Sequence, residues 1–146
     1  MTTTKRLLGA GSALLLAALV GSLGATGRAT ADPAPPPADL HQITYTISAE
    51  HPIWADIFYQ DRSPRVFADY SHNPYEFTPQ VHADIAPGKP WVQHVQLSNP
   101  DMWAMVVVTA AQEPGTPNFH CELAIDGRVA ATKDGPRGAL CSIRTF

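Results

Sequence analysis

The sequence predicts an all-β protein, a small immunoglobulin-like antiparallel sandwich carrying one disulfide. Three observations predict it. From Leu40 onward, short runs alternate apolar and polar residues with period two, the pattern of strands with one buried face. Clusters of Pro, Gly, Asn and Asp separate those runs at the spacing of a small sandwich. The chain has two cysteines, Cys121 and Cys141, about twenty residues apart near its end.

The N-terminal elements come first. Lys5 and Arg6 form a short positive region, an apolar segment runs from Leu7 to about Ala25, and Ala29-Thr30-Ala31 is a small-x-small site before Asp32. This is the three-part pattern of a secretory signal peptide, predicted over 1–31 with cleavage after Ala31. The apolar run is just long enough to act instead as a membrane anchor. The glycines that break it, and Arg28 ahead of the site, favour cleavage. No cysteine lies near the end of the run, which excludes lipoprotein-type acylation. Asp32-Pro-Ala-Pro-Pro-Pro-Ala38 favours an extended polyproline II spacer. Residues 32–40 are therefore read as a solvated leader and 41–146 as the sandwich domain.

The strands follow in order. Ile43, Tyr45 and Ile47 alternate with Thr44, Thr46 and Ser48, and Ala55, Ile57 and Tyr59 alternate with Trp54, Asp56, Phe58 and Gln60. Trp91–Leu97 places Trp91, Val95 and Leu97 on one face. Trp103–Ala111 is apolar on both faces, as a central strand or a short buried helix would be. Its Val106-Val107-Val108-Thr109 core is β-branched and favours the strand. Phe119, Cys121, Leu123 and Ile125 alternate with His120, Glu122 and Ala124. Asp126-Gly127 then supplies the left-handed residues of a two-residue hairpin turn, and Val129 and Ala131 continue on the return strand. Between Asp61 and Lys89 the pattern weakens to a strand near Val66–Ala68, another near Val81–Ile85 and a long loop. No helix of three turns is predicted after residue 31. Trp91 and Trp103 are expected to begin strands and fill the core.

Charge excludes several functions. All thirteen Asp and Glu lie beyond Ala31, against seven Lys and Arg, so the mature chain is acidic and lacks a basic cluster. Nucleic acid and anionic lipid both need such a cluster. In an exported chain, a lone cysteine pair at this spacing is most simply an intramolecular disulfide, with Cys121 facing the core. The six histidines show no helical i, i+4 pair and no accompanying Cys-x-x-Cys. His82, His94 and Asp84 meeting across a hairpin is the one metal arrangement the spacing allows, and solvent-facing histidines are the reading preferred. The chain has no Gly-x-Ser-x-Gly, no phosphate-cradling glycine loop and no His-Glu-x-x-His, and it is read as non-catalytic, without metal or cofactor. A polar cleft holding a histidine and a carboxylate in hydrogen-bond reach would point instead to an enzyme. Trp54 and Phe58 share the outward phase of their strand. They form an exposed patch unless a second sheet or the long loop covers them. With Tyr70 and Tyr75 of the aromatic, polar loop, they are the candidate binding residues.

In this order, four segments resemble the periplasmic domain of the mycobacterial membrane protein small family (MmpS). They are Ile43–Ile47 followed by Ala55–Asp61, Pro90-Trp91 before its strand, Val106–Gln112, and Cys121–Val129 with Cys141. The resemblance implies a β-sandwich accessory to a large envelope exporter of lipid or siderophore. Family members are held by one N-terminal helix, whereas this N-terminus reads as cleavable, and the stretch Pro64–Lys89 is longer. The expectation is a secreted or cell-envelope binding domain, with an envelope transporter, lipid or siderophore as partner. The alternative is a secreted protein–protein interaction module with no transport role. An enclosed apolar cavity between the sheets would favour the former, and a flat aromatic patch the latter.

Overall fold

The computed structural model describes residues 39–145. The expected signal peptide and residues 32–38 of the leader lie outside them. Eight strands form two antiparallel sheets. Strands β1 (His41–Ala49), β4 (Trp91–Leu97), β6 (Phe119–Ile125) and β7 (Arg128–Gly135) make the first, in the order β4-β1-β6-β7. Strands β2 (Ile53–Tyr59), β3 (Gln80–Ile85), β5 (Met105–Thr109) and β8 (Gly138–Ser142) make the second, in the order β3-β2-β5-β8. The pairings β1–β4, β2–β5 and β5–β8 reproduce the B–E, C–F and F–G ladders of an immunoglobulin-like sandwich.

Alternation sets the core. Ile43, Tyr45 and Ile47 of β1 face Ile57 and Tyr59 of β2, Val106 and Val108 of β5 and Leu123 of β6 in one cluster of buried side chains. Each large side chain buried there contributes roughly 1.5–3 kcal/mol relative to exposure. At the β6–β7 turn, Asp126 and Gly127 adopt φ of +49° and +78°, the left-handed pair that matches strand twist. The expected disulfide is formed, Cys121 to Cys141, with both residues buried. Its partners lie in different sheets, β6 and β8, so the bond crosses the core. The turn Gly135–Gly138 makes that crossing possible, because it carries the chain from one sheet to the other.

Four expectations are corrected. Val66–Ala68 is not a strand: Phe67–His72 is helix α1, followed by α2 (Pro74–Phe77). Local helical bonds satisfy the backbone there instead, among them the Asn73 N–H to the Asp69 carbonyl at 3.4 Å. Asn73 before Pro74 is pushed out of helical geometry, which ends α1, and Pro74 starts α2 at a position that needs no donor. The long loop is thus largely these helices and β3. Second, Trp103 ends a helix, α3 (Pro100–Trp103), and β5 begins at Met105. Asn99 caps α3 by accepting a bond from the Met102 N–H at 3.3 Å, and Pro100 takes the first helical position. Third, Gln60 is buried, because β2 ends at Tyr59 and the chain turns inward. Fourth, His82 and His94 cannot meet across a hairpin, since β3 and β4 lie in different sheets.

Candidate functional site

The segment between β2 and β3 leaves the sandwich and returns at one point. The Asp61 N–H donates to the Phe77 carbonyl at 2.8 Å, and the Tyr59 N–H to that of Pro79 at 3.4 Å. Gln60 closes the same point from inside. Its side-chain amide donates to the Arg62 carbonyl at 2.7 Å and accepts from the Thr78 hydroxyl at 3.0 Å. The Tyr45 hydroxyl donates to the Gln60 carbonyl at 3.0 Å. Burial pushes that hydroxyl well above the ordinary phenol range, so it remains a donor. Burial, then the charge of Asp61, also raises Tyr59. Residues 62–78 are therefore a lobe tied at its base by a satisfied buried network.

The lobe presents aromatic rings to α3. Tyr70 packs against Trp103 with ring centroids 5.2 Å apart, and Phe67 stacks near-parallel on Trp103 at 6.5 Å. Phe77 lies 6.4 Å from Tyr70, and the Arg62 guanidinium sits over the Phe77 ring at 6.0 Å. Between lobe, α3 and the start of β5 runs a groove of about 350 Å³, walled by Phe67, Tyr70, Met102, Trp103 and Met105, with Gln60, Ser142 and Arg144 also lining it. Phe67 is 60% exposed and Met102 48%. Met105 and Val107 of β5 share one face, so the apolar wall continues onto the outer face of the second sheet. There Val107 pairs with Phe58 of β2 on one side and Leu140 of β8 on the other.

The four predicted binding residues separate. Tyr70 lies in the groove. Phe58 belongs to the apolar row beside it. Trp54 is 50% exposed further along β2, stacked on His82 at 6.1 Å. Tyr75 is 72% exposed on α2 and joins none of the described ring contacts. Sequence reasoning missed Phe67, Met102 and Trp103. The signal for Met102 and Trp103 was the Asn99-Pro100 pair, a cap followed by a first-turn proline, which marks a helix start as well as a turn.

A second groove of about 490 Å³, of mixed polar and apolar lining, lies at the opposite end of the sandwich, on the first sheet. Ser48, Glu50, Asn118, His120 and Asp134 line it. His120 Nδ1 lies 2.6 Å from Asp134 Oδ1, and the Asn118 amide donates to Glu50 Oε2 at 2.6 Å. His–Asp pairs recur elsewhere: His41 with Asp126 of the β6–β7 turn at 2.7 Å, and His82 with Asp56 across β3 and β2 at 2.5 Å. The hydrogen bond that His41 donates to Asp126 raises His41, with desolvation opposing it and the carboxylate's charge adding to it, and the same bond lowers Asp126. No group of three or more His, Cys, Asp or Glu among the described residues is placed to hold a metal ion. No helix among them is long and apolar enough to cross a membrane.

Comparison with known proteins gives a consistent relationship. Proteins Rv2576c of Mycobacterium tuberculosis (strain ATCC 25618 / H37Rv) and Mb2606c of Mycobacterium bovis (strain ATCC BAA-935 / AF2122/97) are each 35% identical to this chain over 130 residues. The match covers 89% of this chain and 79% of each relative. Both carry the description "uncharacterized protein". The model of the Rv2576c β-sandwich domain matches residues 45–141, from the middle of β1 to the second cysteine of the cross-sheet bond. The chain therefore belongs to the Rv2576c β-sandwich domain family.

Proposed function

We propose that the protein is a secreted or cell-envelope binding domain whose aromatic groove receives an apolar segment of another envelope protein. One observation carries the reading: Phe67, Tyr70, Trp103 and Met102 form a preorganised apolar wall, held open to solvent by a lobe whose base is tied. A monomer with no partner gains nothing from leaving such a wall uncovered. Aromatic and methionine side chains are also those that protein interfaces favour. The groove's lining residues contain no nucleophile paired with a base, so this site is proposed to act by binding alone. The resemblance of the strand order to the MmpS family supports a lipid or siderophore exporter of the envelope as the partner. Export itself is supported by the three-part N-terminal pattern and by a core disulfide.

A photo-crosslinking residue at position 67, introduced in the native host, tests the reading. The expected result is a discrete protein adduct that disappears when Met102 and Trp103 are changed to Ser. The same adducts from a control position at Thr132 on the first sheet would sink it. A second reading is a small apolar ligand, favoured by a groove volume within the range of small-molecule sites. Under it, mass spectrometry of the purified protein finds a lipid or siderophore, and position 67 crosslinks to no protein. Intact mass of the exported species should start at Asp32. A full-length species found only in membranes would replace the secreted form with an anchored one.

A further inference from the structure

We propose that Ser48, His120 and Asp134, at the polar end of the first sheet, form a hydroxyl–imidazole–carboxylate site that cleaves small neutral or cationic carboxylic esters. The inference concerns a different groove from the aromatic one and stands or falls separately from the binding reading.

Strand register builds the constellation. Ser48 of β1 is paired with His120 of β6, and His120 with Asp134 of β7. Side chains opposite one another on adjacent antiparallel strands have Cβ atoms about 4.5–5.5 Å apart. All three residues belong to the outward phase, since Ile47, Ala49, Phe119 and Cys121 beside them are buried. They therefore stand in a row across three strands, in the order nucleophile, base, carboxylate. The contact of His120 Nδ1 with Asp134 at 2.6 Å assigns the chemistry. An Nδ1–H donated to the carboxylate leaves the lone pair on Nε2, the atom a general base needs. Among the described residues the Ser48 hydroxyl has no hydrogen-bond partner, so it is available to turn toward His120. Apo structures commonly leave this bond to be made with substrate present.

The rest of the groove fits an ester. The Asn118 backbone is held by its N–H bond to the Pro136 carbonyl at 3.1 Å, at φ +51°. One N–H of the Asn118 amide goes to Glu50, and the amide carries a second that can donate to a carbonyl oxygen as it gains charge. Glu50 and Asp134 make the groove negative, which selects against an anionic acyl group and admits a neutral or cationic one. In the reaction, Ser48 Oγ bonds to the acyl carbon and its proton passes to His120 Nε2. The ester C–O bond then breaks and the departing alcohol takes that proton. Water repeats the sequence on the acyl-serine, releasing the acid and restoring Ser48. His120 accepts and returns the proton at each stage. Asp134 is the positioning residue.

The test is covalent labelling with a fluorophosphonate, which reports an activated serine without knowledge of the natural ester. Peptide mass spectrometry should find one adduct, on Ser48. It should vanish in Ser48→Ala, and labelling should slow at least tenfold in His120→Gln. Asp134→Asn should lower the first-order labelling rate constant at saturating probe while the final labelled fraction stays that of the wild type, whereas a folding defect would lower the final fraction. Turnover of p-nitrophenyl acetate should fall in the same order. No adduct on the wild-type protein overturns the proposal, whatever the variants do. An adduct that forms equally fast in His120→Gln also overturns it, because Ser48 would then be merely exposed.

Discussion

Cys121 and Cys141 are the two residues through which the sheets of this sandwich are covalently joined. One lies in the middle strand pair of the first sheet and the other on the edge strand of the second, and their sulfurs meet in the core. Closing a loop of this length restricts the unfolded chain by about 3 kcal/mol. Replacing both cysteines with alanine should therefore lower Tm by more than about 10 °C, since 1 kcal/mol shifts a domain of this size by roughly 4–8 °C. Thiol counting on the denatured, unreduced protein should find no free thiol. A variant that melts with the wild type would show that the bond is incidental to stability.

Gln60 is the second point at which stability is concentrated. Gln60→Ala strands the Thr78 hydroxyl in a buried site and removes the donor of the part-buried Arg62 carbonyl, at a cost of about 1–3 kcal/mol. Hydrogen exchange should quicken across 62–78 and stay unchanged in β5. Uniform acceleration over both would mean that the lobe and the sheets unfold as one unit.

The His41–Asp126 pair gives a signed pH dependence. The folded state holds the His41 proton more tightly than the unfolded chain does, so this contribution is complete below about pH 6.5 and is lost as pH rises past the raised folded value. Asp126 is lowered, so its contribution is present above about pH 4 and is lost in stronger acid. The pair is accordingly worth most between those limits. The Tm gap between wild type and His41→Gln should be larger at pH 5.5 than at pH 8.5. A gap that widens with rising pH would reverse the assignment.

Gly135 should tolerate no side chain. A Cβ there would stand 1.8 Å from the Gly138 carbonyl oxygen, which is backbone and cannot swing aside. Gly135→Ala should open the turn that carries β7 into β8 and destabilise the protein by about 2–4 kcal/mol. Urea titration measures it. A variant within about 0.5 kcal/mol of wild type would show that the turn relaxes freely.

Arg137 donates to the carbonyls of Ala111, Glu113 and Gly115, gathering the β5–β6 connection onto the β7–β8 turn. Lysine lacks the planar fork and cannot hold three carbonyls spread in this way. Arg137→Lys should therefore raise proteolytic nicking within 111–116 while leaving Tm nearly constant. A large fall in Tm would place Arg137 in the stability of the whole sandwich.

The strands were legible where one face is buried. Ile43, Tyr45 and Ile47 announced β1, and Asp126-Gly127 announced the hairpin, because each signal is local and repeats with the pleat. The cysteine pair was legible as a bond but not as a cross-sheet bond, since sequence alone does not say to which layer a strand belongs. The lobe was not legible. Helix α1 is six residues long, too short to show a helical period, and what fixes it is contact with Trp103 and closure through Gln60. The aromatic groove was missed for the same reason: Phe67 and Trp103 were read as strand residues, and only tertiary contact makes them neighbours. The Ser48–His120–Asp134 row depends on register between strands far apart in sequence.

The chain leaves β2 and re-enters β3 through one tied point, yet the lobe also grips the sandwich beyond it. Ser63 Oγ accepts from the Ser98 and Asn99 N–H groups at 3.1 and 3.4 Å, and Tyr70 packs against the core and Trp103. The lobe therefore braces the entry to α3, and any exchange of it that keeps the eight strands must also supply a hydroxyl at position 63 and a ring at position 70.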